Sequence, residues 1–145
     1  MGLSKRNLDT NKVEVGINLE ALGEALKKEV PEIEFAFILG SSAETGTVQP
    51  YSDLDIAVYL GSKPDMRIFE RILAVCGDFT GPVRCDLGFL NDAEPVYRFE
   101  ALKGRLLFAR DRDLLAEFHS LTCREYETQM IHYARQRRYR LEAGA

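Results

Sequence analysis

Asp53 and Asp55 are the residues of this chain best placed to do chemistry. They stand two positions apart in the apolar run Asp53-Leu54-Asp55-Ile56-Ala57-Val58-Tyr59. Residues two apart on a strand point to one face. Like charges held on one face repel unless a cation sits between them, and a divalent metal is the usual solution. Just upstream, the apolar run Phe35-Ala36-Phe37-Ile38-Leu39 ends in Gly40-Ser41. A Gly-Ser turn offers unhindered backbone N–H groups and a hydroxyl, which suit phosphate oxygens. Ser42 and Ser52 add hydroxyls to the same loop, as turn hydrogen-bonders or as further substrate ligands. Strand, phosphate turn and paired-aspartate strand together make a layout for a metal-bound nucleotide.

A third carboxylate, Asp86, lies 31 positions beyond Asp55 in Val83-Arg84-Cys85-Asp86-Leu87-Gly88-Phe89. A carboxylate in so apolar a strand needs a partner, because burying it unpaired is costly or forces protonation. That partner is either a shared metal or a neighbouring cation such as Arg84. Magnesium suits the first option, since it takes a few carboxylates and completes its shell with substrate phosphates and water.

The elements that position these residues follow from periodicity and punctuation. Residues 1–14 are polar and aperiodic and are expected to be loosely ordered. Asn18 reads as a helix N-cap with Ile17 and Leu22 as a hydrophobic staple; Leu19, Leu22, Leu26 and Val30 form the apolar face, and Pro31 stops the helix. Ile33–Leu39 and Leu54–Leu60 read as strands flanking a loop over 40–52. Ser62-Lys63-Pro64-Asp65 opens a helix whose predicted core face is Met66, Phe69, Leu73 and Cys76, with Gly77 as its close. A strand over 82–89, a short helix over 94–103 and a strand over 105–109 follow. Residues 111–141 contain neither Gly nor Pro and predict one long helix, or two broken near Thr122-Cys123. The order predicts a single α+β domain over 1–145, a small mixed sheet with helices packed on one face.

The stretch Leu39-Gly40-Ser41, eleven intervening residues, then Asp53-Leu54-Asp55-Ile56 resembles the signature of the polymerase β-type nucleotidyltransferase superfamily. The short length resembles the minimal nucleotidyltransferases, the MNT-type antitoxins paired with HEPN-domain toxins. The resemblance implies the polymerase β-type palm fold and transfer of AMP from ATP by a two-metal mechanism. Asp53, Asp55 and Asp86 would be the magnesium ligands, and Asp86 the general base as well. Gly40, Ser41, Ser42 and Ser52 would be the nucleotide-binding residues. It also implies a partner, a tyrosine of a HEPN ribonuclease toxin, neutralised by AMPylation. The turn differs from the Gly-Ser-x-Ala-Arg-Gly pattern of many relatives: it is one residue longer and carries Glu44 where the Arg would fall. Lys63, Arg67 and Arg84 are the nearby cations in the sequence.

Composition narrows the partners. With 46% hydrophobic and 29% charged residues, the 145-residue chain fits one soluble domain. No apolar run spans a bilayer and no secretory core follows the N-terminus, so a cytoplasmic location without a membrane partner is expected. Cys76, Cys85 and Cys123 are odd in number and lack a Cys-x-x-Cys pair, so Cys76 and Cys85 read as apolar core fillers. A net charge of −4 argues against direct nucleic-acid binding, although residues 121–145 carry five Arg against three Glu. A domain this small is expected to lack a helical extension that shapes an acceptor site. Acceptor choice must come from a homodimer, as in a small-molecule nucleotidyltransferase, or from a protein partner. Tyr126, Met130 and Tyr133 share a helical face that either packs on the sheet or meets that partner. A module that blocks a partner by occlusion, without transfer, is the remaining alternative.

Overall fold

The computed structural model describes residues 15–40, 43, 46–48 and 52–144. Among these residues the elements run β1 (Val15–Gly16), α1 (Leu19–Glu29), β2 (Ile33–Leu39), β3 (Thr47–Val48), β4 (Leu54–Leu60), α2 (Met66–Thr80), β5 (Cys85–Phe89), α3 (Pro95–Leu102), β6 (Arg105–Ala109) and α4 (Arg112–Gly144). The main sheet has the order β5-β4-β2-β6. The β2–β4 and β2–β6 pairs are antiparallel, while β4 and β5 run parallel. A parallel pair needs a crossover, and α2 supplies it.

Alternation along the strands sorts side chains to two faces. Ala36, Ile38, Leu54, Ile56, Val58 and Leu60 join α1 and α2 in one core, with Leu22, Leu26, Ile72 and Cys76 wholly buried. Phe35, Phe37 and Ala57 point the other way and pack against Ala101 of α3 and Phe118 of α4. The expected mixed sheet is present, but its helices cover both faces instead of one. The physical reason is that β2 is apolar on both sides, as a central strand must be. Phe35 anchors the second layer, its ring 4.8 Å from that of Tyr59 and 5.0 Å from that of Phe118.

Local signals set the ends of the elements. Asn18 caps α1 by accepting from the Ala21 N–H at 3.0 Å, and Asp65 caps α2 by accepting from the Ile68 N–H at 2.8 Å. The helix α2 runs past Gly77 to Thr80 and closes at Gly81, whose φ is +56°. Its buried residues are Ile68, Ile72, Cys76 and Thr80, so of the expected face only Cys76 is fully buried and Met66 is 68% exposed. An apolar residue stands on nearly every side of this helix, and the cap at Asp65 together with the sheet contact chose among the stripes. Asp111 accepts from Asp113 and Leu114 N–H groups at 2.9 and 3.2 Å and starts α4, which continues unbroken through Thr122-Cys123. The 1–14 segment lies outside the described residues.

Two polar clamps fix the far end of the sheet. The Leu60 N–H donates to Asn91 Oδ1 at 2.9 Å and Asn91 Nδ2 donates to the Leu60 carbonyl at 2.8 Å, joining the end of β4 to the turn after β5. Arg98 then donates from Nε to the Leu90 carbonyl at 2.8 Å and from its terminal nitrogen to the Asn91 carbonyl. Its guanidinium carbon lies 5.2 Å from the centre of the Phe118 ring. This one side chain therefore seats α3 on the end of β5 and against α4.

Candidate active site

Asp55 belongs to the second residue of β4, and its Cα partners are Leu39 on β2 and Asp86 on β5. The parallel register thus sets Asp55 and Asp86 side by side on neighbouring strands. Both point to the face that carries α3, because the flanking Leu54, Ile56, Cys85 and Leu87 take the opposite face. Asp53 stands just before β4, exposed, two residues from Asp55. The Leu54 N–H donates to the Arg84 carbonyl at 2.9 Å, which prolongs the β4–β5 ladder to this end.

Three carboxylates therefore gather at one edge of the sheet. Burial raises the Asp55 carboxyl above the ordinary carboxylate range, and the charges of Asp86 and Asp53 push it in the same direction. Among the described residues no Lys or Arg forms an ion pair with any of the three. Asp86 differs from expectation in one respect: it is exposed, because β5 is an edge strand. Solvent on that side removes the burial cost, and repulsion from Asp55 remains.

A cleft of about 350 Å³ opens here, lined by Leu39, Asp55, Asp86, Gly88 and Tyr97. Gly40 follows Leu39 at the end of β2 with φ at +76°, a conformation that favours glycine. A Cβ added there would stand 3.9 Å from Asp55 Oδ2, so the backbone of the Gly-Ser turn begins beside the carboxylate. Ser41, Ser42 and Glu44 lie outside the described residues. Of the loop, Ala43 and Val48 are buried in the core, and β3 pairs with β1 through Val15↔Val48 and Gly16↔Thr47. That small sheet, which two-residue strands do not announce in a sequence, ties the loop to the entrance of α1. Ser52 is exposed at the base of β4, next to Asp53.

The cations sort by distance. Lys63 and Arg67 follow the far end of β4, about 20 Å from Asp55 at roughly 3.3 Å per strand residue. Arg84 lies at the carboxylate end, and so does Arg105, whose register partner is Ile38. Sequence reasoning also missed Tyr97. It sits on α3, a helix with no chemical pattern of its own, and only the packing of α3 against β2 together with the Arg98 clamp to the turn after β5 brings its ring over Gly88 and into the cleft. Burial, followed by the charges of Asp86 and Asp55, raises the Tyr97 phenol above its usual range.

The cysteines act locally. Cys76 is buried, and hydrogen bonding to Cys85 together with burial pushes its thiol up. Cys85 is half-buried, 3.6 Å from Thr80 Oγ1, and the hydrogen bond with Cys76 pulls its thiol down to about 7.

Magnesium fits the donor set: hard oxygen ligands that repel one another, none of them in an ion pair with Lys or Arg among the described residues, at a cleft with room for phosphate. Among the described residues no group of three or more His, Cys, Asp or Glu is placed to hold a metal ion by itself. An ion bound here would have to take the rest of its shell from substrate phosphates and water.

No curated protein sequence matches. A MntA–HpeT toxin–antitoxin mutant superposes with a TM-score of 0.67 at 19% identity, over 87% of this chain and 97% of the other. The MNT antitoxin in complex with a tri-AMPylated HEPN toxin from Shewanella oneidensis gives 0.60 at 19% identity, over 86% and 93%. A toxin–antitoxin with AMP-PNP gives 0.63 at 16% identity, over 89% and 100%. At these identities the likeness establishes the fold. The polymerase β nucleotidyltransferase family model matches residues 20–113, which is more than half of the chain and spans Gly40 and all three aspartates, and the chain belongs to that family.

Proposed function

We propose that this chain is a metal-dependent nucleotidyltransferase that moves AMP from ATP to a protein hydroxyl, a tyrosine of a cognate HEPN ribonuclease toxin, and thereby acts as an antitoxin. The observation that carries this reading is the in-register pairing of Asp55 with Asp86 at the cleft beside Gly40, with Asp53 two residues away.

Asp53, Asp55 and Asp86 would hold magnesium. Bound there, two ions would neutralise the triphosphate and stabilise the attacking and leaving oxygens of the transfer. Gly40, Ser41, Ser42 and Ser52 would bind the nucleotide phosphates. Asp86, the most solvent-open of the cleft's two carboxylates, takes the proton of the acceptor hydroxyl. The exposed side of β5 leaves an approach for an acceptor carried by another protein.

The neighbours support the partner. One pairs an MNT antitoxin with a tri-AMPylated HEPN toxin, and another carries AMP-PNP. A third has two Asp→Glu changes two positions apart, the spacing of Asp53 and Asp55. Altering both Asp53 and Asp55 is the direct test. Incubation with labelled ATP, magnesium and the cognate HEPN partner should label the partner. Asp53→Asn/Asp55→Asn should abolish the label and the neutralisation together. Neutralisation that persists without label would replace transfer by occlusion.

A further inference from the structure

Tyr97 places a phenol inside the cleft that holds Asp55 and Asp86. Its ring lies across Gly88, where an added Cβ would fall 2.1 Å from the hydroxyl and 2.9 Å from Cζ. Gly88 is two residues beyond Asp86 on the same face of β5, so the hydroxyl rests on the strand floor next along from the carboxylate. Arg98, the adjacent residue, fixes this placement through its bonds to the Leu90 and Asn91 carbonyls. Among the described residues the hydroxyl takes no hydrogen bond.

We propose that Tyr97 is an internal acceptor, and that the chain transfers AMP to its own Tyr97 hydroxyl. The inference rests on the nucleotidyltransferase reading above. A tyrosine already held in the cleft needs no encounter with a partner, and fixed proximity of this kind replaces a bimolecular step by a unimolecular one. In the step, Tyr97 Oη forms a bond to the α-phosphorus of ATP. The bond from that phosphorus to the bridging oxygen breaks, and pyrophosphate leaves with the electron pair. The phenolic proton passes through an intervening water to Asp86, which makes no direct hydrogen bond to the hydroxyl. The product carries an AMP ester across the cleft floor, where it blocks both the nucleotide and a partner's acceptor. Self-modification would therefore switch the chain off when no partner is present.

Trypsin isolates the site. Cleavage after Arg84 and Arg98 releases residues 85–98, in which Tyr97 is the one hydroxyl-bearing side chain. The full chain, incubated alone with ATP labelled at the α-phosphate and magnesium, should carry label in that peptide. The rate per molecule should stay constant over a tenfold range of protein concentration, and intact mass should show the AMP adduct. Tyr97→Phe should remove the label. Gly88→Ala, which displaces the ring while keeping every carboxylate, should lower it at least tenfold. Label confined to other peptides, or a rate proportional to protein concentration, overturns the proposal. In a parallel reaction with the HEPN partner, label on the partner alone overturns self-transfer and leaves the proposed function standing. Label on neither protein overturns both.

Discussion

At the scale of single residues, the central fact is an arrangement that costs stability in the free protein. Asp55 is half-buried beside two other carboxylates, and its carboxyl is raised above its unfolded value. The sign follows from linkage: a raised carboxylate contributes most when protonated, and that contribution is lost as pH rises through the folded-state value. Asp55→Asn should therefore raise the melting temperature at pH 7 without metal, and the gain should shrink as pH falls into the ordinary carboxylate range of about 4. Thermal unfolding at several pH values checks this. The same substitution should lower AMP transfer roughly a thousandfold, since metal stabilisation of the transition state supplies several kcal/mol and each 1.4 kcal/mol is about tenfold. Opposite signs on stability and activity are what a functional charge cluster gives, and a structural ion pair gives neither. Thiol chemistry separates the two neighbouring cysteines. At neutral pH iodoacetamide should modify Cys85, whose thiol lies at about 7, well before the buried Cys76.

At the scale of elements, the strands decide where the acids stand, and the second layer decides what faces them. Phe35→Ala empties the contact among Phe35, Tyr59 and Phe118 and should cost about 3–5 kcal/mol in chemical unfolding, the usual range for a buried phenylalanine. Loosening there should also loosen α3 and α4, which reach the sheet through the same cluster. The strands β2 and β4 were legible in the sequence to the residue, because Pro31, Gly40 and Gly61 bracket long apolar runs. The positions of the three carboxylates were legible with them, since Asp53 and Asp55 lie in or against β4 and Asp86 in β5. Other features were not. Two-residue strands have no period, so β1 and β3 left no pattern. In α2 the apolar residues 66, 68, 69, 72, 73, 75 and 76 satisfy more than one helical stripe, and tertiary contact selected Ile68, Ile72 and Cys76. Tyr97 reached the cleft through the Arg98 clamp on a turn eight residues upstream, a relation that local spacing does not encode.

At the scale of the molecule, the chain is a body with an arm. No helix among the described residues is long and apolar enough to cross a membrane. The helix α4 spans 33 residues, about 50 Å at 1.5 Å per residue, yet its buried residues are Phe118 and Thr122 alone. Tyr126 still stacks on Phe99 of α3, with ring centres 3.9 Å apart, so the expected aromatic face begins on the body without touching the sheet. From residue 131 onward every described side chain is exposed, including Ile131, Tyr133, Tyr139 and Leu141 among four Arg residues. Aromatic and Arg side chains in such a setting suit a protein partner. Tyr139→Glu/Leu141→Glu should weaken the complex with the proposed HEPN partner at least tenfold, while thermal unfolding of the free chain stays unchanged; light scattering and calorimetry read the two. The body's claim is tested most directly by calorimetric titration of magnesium into the protein with a non-hydrolysable ATP analogue present. Saturable binding that disappears in Asp53→Asn/Asp55→Asn is the expected result. Binding of equal strength in that variant, or no binding to the wild type, would contradict a carboxylate-held metal–nucleotide site.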